Sequence, residues 1–250
     1  MFFAVATVKL GGVNQESFER VVAEGIALQA RLDWLAPVAV GGTAAALHCQ
    51  HRFSLDVDVV TPGLSADFDR SADALEHWED WKTNRCQKPI IILGERHSVQ
   101  LGVRQLRRRV PLQVTRVRGL RVPTAREILR IKAFLCTERR AVRDFVDVAA
   151  LAKHLGDTVA IAGLGYLNLT YEPVGAQSRV TRFAEVCEQE PLDLHAVPLA
   201  DYKGLQPPFT DWGFVRTTCQ NLARQLLKLE LAGSLPAALD AGFNEPASTP

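Results

Sequence analysis

Apolar residues change their spacing several times along this chain, and each change marks an element. From 14 to 34 they recur at helical spacing (Phe18, Val21, Val22, Ile26, Leu28, Leu32), which predicts an amphipathic helix capped by Asn14. Pro37 closes that region, Val38-Ala39-Val40 reads as a short buried strand running into Gly41-Gly42, and Thr43 to Cys49 reads as a short helix. From Phe53 to Val60 the pattern alternates with period two. Such a strand puts Phe53, Leu55, Val57 and Val59 on one face and Ser54, Asp56 and Asp58 on the other. Pro62-Gly63 breaks the chain before a charged helix over about 65–82 that contains Trp78 and Trp81. Strands are predicted at Pro89–Leu93, Ser98–Val103 and Val110–Val117. Thr124 followed by Glu127 has the capping-box pattern of a helix start, and a second helix spans 142–155. Beyond it lie a Gly-rich apolar stretch (159–169), a helix near 177–189, a link through Pro207-Pro208, a last helix at 211–232 and a tail, Asn244–Pro250, with a disordered composition. The reading is an α+β fold, a mixed sheet with helices followed by a mainly helical C-terminal part, divided into 1–122 and 123–243.

Composition narrows the class without naming a chemistry. With 250 residues, 47% hydrophobic and 23% charged, the chain can bury a substantial core, which excludes overall disorder and a disulfide scaffold. Its cysteines, at 49, 86, 136, 187 and 219, are odd in number, scattered and without a CxxC pair, as expected in a reducing cytoplasm. The start, MFFAVATVKLGG, lacks the basic region of a signal peptide, and no stretch approaches the roughly 20 apolar residues of a membrane span. A cytoplasmic protein with no membrane partner is the expectation.

The chemistry concentrates in Val38–Thr61. Two acids two residues apart on one strand repel each other, and burying them unpaired would cost several kcal/mol. A divalent cation resolves that conflict, and hard oxygen ligands suit Mg²⁺ with a substrate phosphate completing its shell; an outward polar face on an edge strand would resolve it equally. A strand ending in Gly41-Gly42 and a helix opening at Thr43 offer unhindered N–H groups to an anion. A phosphate cradle followed by a metal-binding D-x-D is a layout for handling a nucleoside triphosphate (NTP).

The spacing of Gly41-Gly42, thirteen residues, then Asp56-x-Asp58 resembles the signature of the DNA polymerase β-like nucleotidyltransferase superfamily. The fuller string GGTAAALHCQHRFSLDVDVV is similar to one branch, the AbiEii/AbiGii-type (MenT-like) nucleotidyltransferase toxins. A second block agrees. On the helix from Thr124 to Cys136, Lys132 points into the arc of Ile128, Leu129, Ile131, Leu135 and Cys136, whereas Arg126, Glu127 and Arg130 point away. A lysine there needs a partner or must snorkel. On the next helix Asp144 falls on the apolar side and Asp147 at its edge, so a structural Lys–Asp pair or a catalytic group would both fit. REILRIKAFLCTERRAVRDFVDVAAL resembles the branch's REhhxxKxxA…RDxxDl block, and weaker likeness continues to Asp201-Tyr202-Lys203-Gly204-Leu205 and Asp211-Trp212.

That resemblance implies a lysine at the nucleotide site (Lys132) and a required aspartate (Asp147), with Arg143 and Asp144 in support. It also implies the function: Mg²⁺-dependent transfer of a nucleoside monophosphate from an NTP to the 3′ end of tRNA, by the toxin of a toxin–antitoxin pair, with a separately encoded antitoxin as partner. Asp56, Asp58, Lys132 and Asp147 would be catalytic, with Asp56 and Asp58 holding the metal. Gly41, Gly42, Thr43, Ser54, Arg143 and Asp144 would hold the nucleotide. One departure stands out: the superfamily's third strand carboxylate has no counterpart in Val110–Thr115. Either Asp147 takes part of that role from the helical side, or the site holds fewer metals than the two-metal template, or catalysis is impaired. The last motivates a non-catalytic NTP- or RNA-binding module as an alternative, and nucleotidyl transfer to a small hydroxylated molecule is a second.

Net charge is +1, from 29 basic and 28 acidic residues, but it is sorted. Between Glu95 and Glu127 lie nine arginines and no acid, which suggests a polyanionic partner at Arg107, Arg108, Arg109, Arg116 and Arg118. The alternative is a strand's solvent face balanced by acids elsewhere. His48 and His51, around Cys49, read as a polar helix end rather than a metal pair, and Trp78 and Trp81 as packing.

Overall fold

The computed structural model describes residues 12–239 except Arg109, so the N-terminal apolar start and the tail Asn244–Pro250 lie outside the described residues. Helix α1 spans Gly12–Arg31 and a short 3-10 turn follows at Asp33–Leu35. Asn14 therefore sits within the helix, and its side chain lies outside the described residues. Strand β1 is Val38–Val40, and α2, Gly41–Cys49, starts on the two glycines rather than at Thr43. Strand β2 covers Asp56–Thr61, and its burial alternates as expected: Val57 and Val59 inward, Asp56 and Asp58 outward. The alternation does not reach back to Leu55, which is 47% exposed, because the strand's pairing begins only at Asp56.

Helix α3 is shorter than expected, Phe68–Glu76. Trp78 and Trp81 lie past its end in a turn that leads into strand β3, Lys82–Gln87, where no strand was expected. Both tryptophans pack, with rings stacked 6.0 Å apart, and Trp81 lies so close over Gly94 that a Cβ there would meet it at 2.3 Å. Strands β4 (Ile91–Arg96) and β5 (Val99–Gln105) complete a five-stranded sheet of order β1-β2-β5-β4-β3. Only β2 and β5 run parallel within it. The expected strand Val110–Val117 shortens to β6, Val114–Val117, which pairs with β7, Leu120–Pro123, as a separate hairpin.

Helices fill the rest: α4 Ala125–Arg139, α5 Val142–Leu155, α6 Asp157–Leu164, α7 Leu167–Thr170, α8 Arg179–Glu188 and α9 Trp212–Leu231. Thr124 caps α4 as expected, its Oγ1 accepting from the Glu127 amide at 3.3 Å. Helix α1 packs on β2, β5 and β7, while α2 packs on β2, α4 and α5. A single apolar core thus runs from Phe18 and Val57 through Ile128 and Phe145 to Leu226. Glu127 and Arg130, expected to point away from the core, are both buried. They bind each other at 2.7 Å, and Arg108 reaches Glu127 at 2.5 Å, so helical periodicity misjudged a face that a second layer covers. The architecture is α+β, with the mixed sheet first and helices after it. No helix among the described residues is long and apolar enough to cross a membrane.

Candidate functional site

The backbone of the site is the turn from β1 into α2. Gly41 has φ +74°, a left-handed conformation that costs glycine nothing. At Gly42 an added Cβ would sit 2.6 Å from Arg52 Nη2 and 3.0 Å from Ser54 Oγ, so a side chain there would push these groups out of their present positions. No side chain caps α2, which leaves its first-turn N–H groups, at the positive end of the helix dipole, for a ligand. Thr43 Oγ1 donates to the Asp56 carbonyl at 2.5 Å and fixes this helix start against the start of β2.

The two strand acids stand beside that turn. Ser54 Oγ donates to Asp56 Oδ1 at 2.8 Å, and Asp56 is exposed. Asp58 lies over Gly102 of β5, its register partner, where a Cβ would be 2.1 Å from Asp58 Oδ1. Arg104 Nε donates to the same oxygen at 3.0 Å. The strand beside β2 is β5, not Val110–Thr115, and the residues facing Asp56 and Asp58 across it are Gln100 and Gly102. Among the described residues no group of three or more His, Cys, Asp or Glu is arranged for a metal. A pair of carboxylates with substrate phosphates is a donor set that fits Mg²⁺, which keeps much of its own water.

Behind the turn lies a buried charge cluster. Asp147 is 0% exposed. Its Oδ1 accepts from Arg52 Nε and from His51 Nε2, both at 2.8 Å. Its Oδ2 accepts from Arg52 Nη2 at 2.9 Å and pairs with Lys132 Nζ at 2.6 Å. Lys132, 1% exposed, also donates to Asp144 Oδ1 at 3.1 Å. Arg139 clamps Asp144 through Nε at 2.6 Å and Nη2 at 2.8 Å. Lys132 thus finds its partners on α5, as its place on the apolar arc of α4 required.

Burial alone would raise the Asp147 carboxyl; the charges of Arg52 and Lys132 and the His51 hydrogen bond outweigh it and hold the group well below the usual carboxylate range. Burial also pulls His51 below its ordinary range despite Asp147, so the ring is neutral, with the proton on Nε2 and a buried Nδ1 that has no partner.

The remaining candidates separate. Arg143 is exposed on α5. Arg108 turns inward to Glu127 and the Val110 and Pro111 carbonyls, and Arg118 pairs with Glu19. Arg107 and Arg116 face solvent, and Arg109 lies outside the described residues. His48 bonds the Pro123 carbonyl at 2.8 Å, and His51 belongs to the charge cluster rather than to a polar helix end. The likeness at 201–205 has a structural counterpart. Phe53 N donates to the Lys203 carbonyl and Gln206 N to the His51 carbonyl, both at 2.8 Å. Gly204, with φ +62°, packs against the Phe53 ring. Sequence reasoning missed Arg52, His51, Arg104 and Arg139. No local signal marks Arg52, because its partner Asp147 lies on a helix far along the chain.

No protein-family model matches this sequence, and no curated protein matches it. Solved structures do resemble it. A candidate nucleotidyltransferase from Helicobacter pylori superposes with a TM-score of 0.53 at 17% identity, covering 89% of this chain and 99% of that one. The structure of JHP933 from Helicobacter pylori gives a TM-score of 0.53 at 18% identity, covering 90% and 97%. The chain shares the fold of these two structures.

Proposed function

We propose that this protein is a Mg²⁺-dependent nucleotidyltransferase, moving a nucleoside monophosphate from an NTP to a hydroxyl acceptor with release of pyrophosphate. One observation carries this reading: an uncapped helix start, a guanidinium and two strand carboxylates meet at one corner of the sheet. The Gly41–Thr43 turn and Arg52 would hold the phosphates, with Ser54 at the edge of the site. Asp56 and Asp58 would hold Mg²⁺ and align the attacking oxygen, so that catalysis is positioning plus charge stabilisation. The acceptor we propose is RNA, at the tRNA 3′ end, in a toxin restrained by an antitoxin. The two sequence blocks that resemble the AbiEii/AbiGii branch support it. Incubation with each labelled NTP, Mg²⁺ and total tRNA tests it: label should enter tRNA, and no transfer under any of the four NTPs overturns it.

A second reading draws on the arginine tract. Arg96, Arg104, Arg108 and Arg118 are engaged by Glu24, Asp58, Glu127 and Glu19, which weakens the case for a long polyanion and favours a small hydroxylated acceptor. Labelling of a small molecule in cell extract, with tRNA untouched, would decide for it.

A further inference from the structure

We infer that Arg52 is the side chain that grips the triphosphate, and that Asp147 is a positioning residue acting through Arg52 rather than a metal ligand. This rests on the nucleotidyltransferase reading above. A carboxylate oxygen has two lone-pair sites, and each oxygen of Asp147 already faces two donor groups. No lone pair is left for a metal unless one of those contacts breaks.

Arg52 is the reverse case. Its Nε–H and one Nη2–H go to Asp147, and of the three N–H bonds that remain, one reaches the Phe53 carbonyl at a long 3.4 Å. Both Nη atoms border the space over Gly42, 2.6 Å and 3.2 Å from where a Cβ would lie. A buried guanidinium edge therefore points at the uncapped start of α2, and two independent anion-seeking features converge. The guanidinium cannot swing away, because two contacts to Asp147 and the backbone bonds of His51 and Phe53 to Gln206 and Lys203 hold its segment.

The test measures equilibrium binding of the four NTPs and their monophosphates, with Mg²⁺, to the full chain and to R52M, R52K, D147N and R52M/D147N. Mn²⁺ binding is followed in parallel by electron paramagnetic resonance. Arg52→Met should weaken triphosphate binding by about 10–100-fold, the range of a lost charge-assisted contact, and leave monophosphate binding nearly unchanged. Arg52→Lys should recover part of it. Asp147→Asn should show the same loss, and the double variant no more than either single one, with Mn²⁺ affinity retained throughout. Additive losses, or loss of Mn²⁺ binding in Asp147→Asn, would overturn the inference. Should Asp147→Asn not fold, Arg52→Met decides alone, since Asp147 then keeps Lys132 and His51. Wild type that binds NTP with Arg52→Met binding it equally overturns this inference and spares the activity; wild type that binds no NTP overturns both.

Discussion

Two pairs of aspartates serve opposite ends in this molecule. Asp56 and Asp58 stand on a strand face, the first exposed and the second only half-buried, with Ser54 and Arg104 as their neighbours. Asp144 and Asp147 stand on a helix, fully buried, and Arg52, Lys132, Arg139 and His51 surround them. The first pair is under-compensated and open, so a cation from outside can complete it. The second is saturated, and its effect on a ligand can only be indirect. Residue type does not distinguish them; burial and the number of donors do.

The sharpest way to break this contrast is to remove one acid from each pair. We predict that Asp56→Ala lowers transfer of label by about 10³-fold, the scale of losing a preorganised charge group, while the unfolding free energy stays within about 0.5 kcal/mol of wild type. Asp147→Ala should lower both, costing about 3–5 kcal/mol in chemical denaturation, because it leaves Arg52 buried without its counter-charge and Lys132 with Asp144 alone. If the two variants unfold alike, the contrast fails. Gly102→Ala tests the open pair from beneath. Its Cβ would collide with Asp58 Oδ1, so Asp58 must move, at a cost of about 1–3 kcal/mol by denaturation and with weaker Mn²⁺ binding.

Acid should act on the buried pair. The folded state holds His51 below its unfolded value, so its contribution is complete above about pH 6.5 and is lost as pH falls, at up to about 1.4 kcal/mol per pH unit. Asp147, also depressed, keeps its contribution until the pH falls below about 4. Unfolding midpoints against pH for wild type and His51→Gln, which can still donate to Asp147, should differ in slope between about pH 5 and 6.5. The smallest effect belongs to neither pair. Arg116→Ala should leave stability within about 0.5 kcal/mol and, with an RNA partner, reduce the salt slope of binding by about one.

Much of this was legible in the sequence where local rules decide. Val38–Val40, the Thr124 cap, the helix from Val142 and the outward Asp56 and Asp58 all follow from alternation, capping and periodicity. Strand β3 was not legible, because Lys82–Gln87 is an edge strand wet on nearly every residue and so carries no alternation. Leu55 misled because a two-residue period was extended past the point where pairing begins. Lys132 and its need for a partner were readable from one helix. Arg52 was not, since only tertiary folding brings it to Asp147, and that contact turns a loop arginine into part of the site.

The backbone bonds between His51–Phe53 and Lys203–Gln206 carry a consequence for the order of synthesis. The glycine turn and the strand acids are made well before the segment that braces Arg52, so the site cannot be complete until residues 203–206 have been translated and docked.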